Sequence, residues 1–71
     1  MIQTAPKTPT EILEAARGRE RQAYEFYSRL AADCRIDGLR ELLEKLRDEE
    51  QKHIRMIDKM LTQVRLGHEP Y

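Results

Sequence analysis

Two stretches of this chain carry apolar or small residues at alternating steps of three and four, with no slip. A short glycine-containing break separates them. The first seam runs Leu13, Ala16, Glu20, Ala23, Tyr27, Leu30 and Cys34; the second runs Leu39, Leu43, Leu46, Glu50, His53, Ile57, Met60 and Val64. Such steps average about 3.5 residues, the repeat of an α-helix that packs along one stripe against a neighbour. With almost no β-branched alternation, no strand is expected. The chain is therefore read as all-α, an antiparallel two-helix hairpin. Its helices run from Glu11 to about Asp33 and from Leu39 to about Leu66, joined by Cys34–Gly38. A five-residue connection makes them antiparallel neighbours.

The ends of the helices are punctuated. Thr8-Pro9-Thr10-Glu11 matches a helix start, with Thr8 as cap, Pro9 at the first helical position and Glu11 three residues after the cap. Asp37 is the expected cap of the second helix, and Gly67 and Pro70 mark its end. The chain thus divides into a flexible lead (1–9), a helical hairpin (10–66) and a tail (67–71), in which His68 receives no role.

Composition excludes several classes of function. Thirteen Lys and Arg balance thirteen Asp and Glu, and 37% of the side chains are charged. A nucleic-acid binder would show a basic excess, and no apolar run is long enough to span a bilayer. No secretory signal pattern opens the chain. A lone cysteine, Cys34, makes no internal disulfide, so a reducing cytoplasm is the expected compartment. At 71 residues one core gives little stability, and without disulfides the remaining aids are a metal, a partner, or both. Flanking apolar residues point to the partner. Ile12 and Phe26 on one helix, and Leu42, Ile54, Met56 and Leu61 on the other, would stay wet in a lone hairpin. A self-complementary homodimer, or a higher homo-oligomer, closes them into a four-helix bundle.

Three ionisable groups interrupt the seams: Glu20, Glu50 and His53. An unpaired carboxylate in a bundle core is costly enough to drive it neutral, so the three need a joint explanation. Counted from Ile36 at the turn, they lie sixteen, fourteen and seventeen residues away. On antiparallel helices rising about 1.5 Å per residue they fall at nearly one height. Glu50 and His53, three apart, share a face. A two-fold dimer would assemble four Glu and two His, whose charge balances two divalent ions. Hard oxygen donors with one imidazole per metal suit Fe(II), Mn(II) or Zn(II). The competing reading is a buried polar layer that fixes pairing register in a non-catalytic helical interaction module.

Glu20-Arg21-Gln22-Ala23-Tyr24-Glu25-Phe26-Tyr27 resembles the E-x-x-A-x-x-F-Y segment of rubrerythrin and ferritin-like proteins. Glu49-Glu50-Gln51-Lys52-His53 resembles their E-E-x-x-H segment. The resemblance covers about residues 11–64. It implies a ferritin-like four-helix bundle with a di-iron centre, in which Glu20 and His53 are terminal ligands and Glu50 bridges. The implied activity is that of a ferroxidase, oxidising Fe(II) to Fe(III) with O₂ or peroxide. Tyr27, one heptad from Glu20, would hydrogen-bond a ligand or relay an electron, with Tyr24 the weaker candidate. The chain has one Glu/E-x-x-H set where a full bundle has two, and it lacks a C-x-x-C module. The first difference makes it similar to encapsulated ferritins, half-bundle proteins that build the centre across a dimer interface. Their cargo-targeting extension, and so association with a protein shell, is not evident here. An iron-sensing dimer would share the metal without the turnover. Among the remaining residues, Glu49 is expected to be exposed, Met56 and Met60 are read as packing residues, and Arg17, Arg19 and Arg21 as solvated charge.

Overall fold

The computed structural model describes residues 5–67 and contains two helices, α1 (Pro9–Asp33) and α2 (Asp37–Arg65), packed against each other. No strand occurs among the described residues. Residues 1–4 and 68–71, including His68 and Pro70, lie outside them. α1 starts as its sequence requires. The Thr8 hydroxyl accepts from the Glu11 N–H at 3.1 Å, and the Glu11 carboxylate accepts from the Thr8 N–H at 3.2 Å. This reciprocal capping box satisfies two backbone donors that the first turn would otherwise leave open.

The turn is shorter than its sequence suggests. Only Cys34, Arg35 and Ile36 lie between the helices. Ile36, not Asp37, is the N-cap of α2, and it offers no side-chain acceptor. Asp37 is the first helical residue, where its negative charge faces the positive helix end. Its carboxylate accepts from Arg40 Nη2 at 3.2 Å. At the other end Gly67 adopts φ +79°, the left-handed conformation that glycine tolerates best, and its N–H reaches the Val64 carbonyl at 3.0 Å.

A two-helix layer buries little. Among the described residues only Ala31, Ile54 and Leu61 are buried, and the molecule is 14 Å thick in its shortest direction, close to the diameter of one helix. Two expected flank residues, Ile54 and Leu61, are thus the core of α2, while two seam residues, Leu30 and Leu39, are 41% and 45% exposed. The reason is geometric. An apolar stripe about 100° wide can face two neighbours, and the hairpin partner occupies only one side of it. At the turn, the three-residue connection holds the helices close, and there the methyl of Ala31 is enclosed instead of Leu30.

The unused side of the stripe forms one face. With Glu20 and Glu50 as reference directions and about 100° per residue, Ile12, Phe26 and Leu30 lie about 80° to 120° to one side. Leu42, Met56 and Met60 lie equally far to the same rotational side of α2. Because the helices are antiparallel, both flanks open on the same face of the hairpin. Ile12, Phe26, Leu42 and Met56 are all more than half exposed there, as the sequence leads one to expect of a lone hairpin.

The opposite face is charged and ties the helices together. Arg17 donates from Nε to Asp58 Oδ1 at 2.6 Å and from Nη2 to Oδ2 at 3.4 Å. Arg65 donates to Glu14 at 3.1 Å. The hydrogen bond from Arg17 holds the Asp58 carboxyl below its ordinary range, and the Thr8 hydrogen bonds do the same for Glu11. Both groups bind protons less readily when folded than when unfolded. Their contribution is complete above the unfolded carboxylate range, near pH 4 to 4.5, and is lost as pH falls through the depressed folded values. Urea titrations below about pH 5 should therefore show stability falling with pH, with a shallower fall for Asp58→Asn. An unchanged slope in that variant would contradict this assignment.

Candidate metal centre

The seam positions of Glu20, Glu50 and His53 become a cluster once the turn is closed. Glu20 precedes Arg35 by fifteen residues and Glu50 follows it by fifteen, so the three-residue turn sets the two carboxylates level. His53 lies one helical turn beyond Glu50 on the same face. Each residue presents one donor atom, and the three atoms lie within 4.8 Å of one another. His53 Nδ1 is 3.4 Å from Glu20 Oε2 and 3.5 Å from Glu50 Oε2. The side chains form a gradient from inside to outside: Glu50 is 18% exposed, Glu20 30% and His53 45%. The imidazole thus sits at the margin of the seam and not within it, on the side of the open apolar face.

Glu50 carries the decisive detail. Its Oε2 is buried and has no hydrogen-bond partner among the described residues. A buried acceptor left unmatched costs roughly 1–3 kcal/mol, and more for a charged group. A cation held by the two carboxylates and Nδ1 would remove that cost, and the donors already converge. The donor set of two carboxylates and one imidazole fits Fe(II), Mn(II) or Zn(II) and lacks the sulfur that soft metals select.

Other candidate residues stand apart from the cluster. Tyr27 is half-buried on α1, with its ring packed edge-on against Phe26 at 5.4 Å between centroids. Neither Tyr27 nor Tyr24 makes a hydrogen bond to Glu20, Glu50 or His53 among the described residues. Glu49 is exposed and paired with Lys52 at 3.1 Å. Cys34 is half-buried at the turn, and its thiol donates to the Ile36 carbonyl at 3.6 Å. A groove of about 520 Å³ lies on the charged face, floored by Leu61 and walled by Arg17, Arg21, Arg65, Glu14 and Asp58. It is not the metal centre, because none of Glu20, Glu50 and His53 lines it, and its arginines are each paired with a carboxylate: Arg17 with Asp58, Arg65 with Glu14, and Arg21 with Glu25 at 3.5 Å.

Sequence reasoning missed the Arg17–Asp58 pair by treating Arg17 as solvated charge. The signal was available: Asp58 follows Ile57 and lies four residues after Ile54, so it borders the packed stripe. Arg17, three before Glu20, borders the stripe of α1.

The family model described as Rubrerythrin matches residues 11–71, which includes both helices from the first turn of α1 onward and all three clustered residues. Among curated proteins and among solved structures, nothing matches the chain significantly.

Proposed function

This chain belongs to the rubrerythrin family, whose domains bind metal, usually iron, and from that premise we propose that it is a two-iron protein with ferroxidase activity, its centre completed across a homodimer. The carrying observation is the convergence of Glu20, Glu50 and His53 around a buried Glu50 oxygen that makes no hydrogen bond among the described residues. These three residues would hold the metal. A pair of ferrous ions supplies two electrons, one each, which with two protons reduce O₂ to hydrogen peroxide or hydrogen peroxide to water.

The chain's own residues do the positioning. Glu50 and Glu20 place two negative charges in a partly dehydrated layer, where their attraction for a cation is stronger than in water. His53 turns Nδ1 toward them and fills the exposed edge. Among its described residues one hairpin supplies three clustered donor groups. A second copy on the apolar face formed by Ile12, Phe26, Leu30, Leu42 and Met56 would bring the second set and cover surface that is costly to leave wet. Four carboxylates then balance two divalent ions. Tyr27, seven residues beyond Glu20 on α1, is the candidate proton or electron relay. A cytoplasmic setting fits the unpaired cysteine, and no described helix is long and apolar enough to cross a membrane.

The test is anaerobic addition of Fe(II) to metal-free protein, followed by air. About one iron per chain should be retained, with a near-ultraviolet ferric band that grows on oxidation and repeated turnover when more Fe(II) is supplied. Retention without further turnover would identify a sensor. Absence of iron retention, with the same mass and melting temperature before and after metal, would leave a helical pairing module instead.

A further inference from the structure

We propose that Arg17 and Asp58 form a register clamp, a pair of positioning residues that keeps Glu20 level with Glu50 and His53. The inference rests on the metal-centre reading above, and its test is arranged so that the two can fail separately.

The metal layer is built from two helices, so its geometry depends on how far α1 has slid along α2. A shift of one residue moves a ligand by about 1.5 Å and turns it by about 100°. Either change would separate donor atoms that now lie within 4.8 Å. In most domains an interdigitated core prevents such sliding. Here the hairpin's own core has only three buried residues among those described, one of them alanine. Little in the apolar packing of the hairpin selects one register.

The three-residue turn sets the register at its own end, fifteen residues from the layer, so polar contacts between the helices must hold it farther along. Three are present among the described residues: Arg17 with Asp58, Arg65 with Glu14, and His53 with Glu20. The last is the site itself and cannot position it. The Arg65–Glu14 contact is a single hydrogen bond between exposed side chains far along the hairpin. The Arg17–Asp58 contact differs in kind. Two guanidinium nitrogens meet two carboxylate oxygens at 2.6 and 3.4 Å, and a planar fork of this sort fixes orientation as well as distance. It also sits close to the layer: Arg17 is one turn before Glu20, and Asp58 is five residues after His53. The pair adds little to global stability because both groups are partly exposed and screened. Its value lies in holding the ligand-competent register, since affinity falls in proportion to the fraction of molecules in that register.

The experiment titrates Co(II) into the metal-free 71-residue protein, reading both the dissociation constant and the visible ligand-field spectrum. Asp58→Asn should weaken Co(II) binding about five- to tenfold and alter the spectrum, as expected if the competent fraction falls to between a fifth and a tenth. Helical circular dichroism at the assay temperature should remain that of the parent. Arg17→Lys keeps the charge but loses the fork, and should shift affinity in the same direction; it decides the matter if Asp58→Asn loses helicity. The exchanged pair Arg17→Asp with Asp58→Arg should restore affinity to within about twofold. Arg65→Ala removes the other ion pair and should leave Co(II) affinity and spectrum unchanged. The clamp is overturned if folded Asp58→Asn or Arg17→Lys binds Co(II) as the parent does, or if Arg65→Ala loses as much affinity. Parent protein that binds neither Co(II) nor Fe(II) would instead remove the metal centre, and the clamp with it.

Discussion

Glu50→Leu should raise the stability of the metal-free protein while abolishing its response to iron. Oε2 of Glu50 is buried without a hydrogen bond, and the side chain is 18% exposed. Replacing a buried charged group with an apolar one of similar size is often neutral or stabilising. With partial exposure discounted, the gain is about 1 kcal/mol, or roughly 4–8 °C in melting temperature for a domain of this size. The same substitution removes the most buried of the three donors, so iron retention should drop from about one per chain to near zero. In the parent, metal at a hundred times its dissociation constant should add about 2.7 kcal/mol; in the variant it should add nothing. Differential scanning calorimetry with and without Fe(II) under argon reads both signs. A variant that still gains stability from iron, or whose metal-free form melts well below the parent's, would remove Glu50 from its assigned place.

Phe26→Asp should convert the protein to a monomer and cut its iron content. Phe26 is 51% exposed and stacked edge-on against Tyr27 at 5.4 Å, on the open apolar face that the proposed homodimer covers. A large aromatic at the centre of an interface contributes at least about 2 kcal/mol, and a two-fold dimer contains it twice. A loss of roughly 4 kcal/mol weakens the dimer about a thousandfold, before the cost of facing two carboxylates is added. Sedimentation at micromolar concentration should show the parent as a dimer and the variant as a monomer. Arg21→Asp, on the opposite charged face, should leave the dimer intact. A parent that sediments as a monomer, with or without metal, or a Phe26→Asp dimer of parental affinity, would refute the shared centre.

Much of the local structure was legible because it depends on near neighbours in sequence. Thr8, Pro9 and Glu11 form the capping box that their spacing requires, and Gly67 takes the left-handed turn. The expected cap at Asp37 failed for a nearby reason. Asp is favoured both as a cap and just inside a helix, since each position places its charge at the positive end. Sequence alone does not separate the two, and the tight connection drew both Asp37 and Gly38 into the helix.

The site was legible for a different reason. A helix rises by a constant amount per residue, so residues equidistant from a turn must meet; Glu20 and Glu50 are each fifteen residues from Arg35. Composition supplied the rest, since three ionisable groups in two otherwise apolar seams demand a shared partner.

Sequence by itself therefore determined two helices, their antiparallel pairing, and the layer at which two carboxylates and an imidazole converge. Only the tertiary structure decided which side of each stripe the hairpin uses. It placed Ile54 and Leu61 inside, left Phe26, Leu42 and Met56 open, and brought Arg17 to Asp58 across the opposite face. The physical reason is that heptad spacing names a stripe wide enough for two neighbours. Rotation of each helix about its own axis is fixed by the neighbour that is present, through packing and ion pairs between residues far apart in the chain.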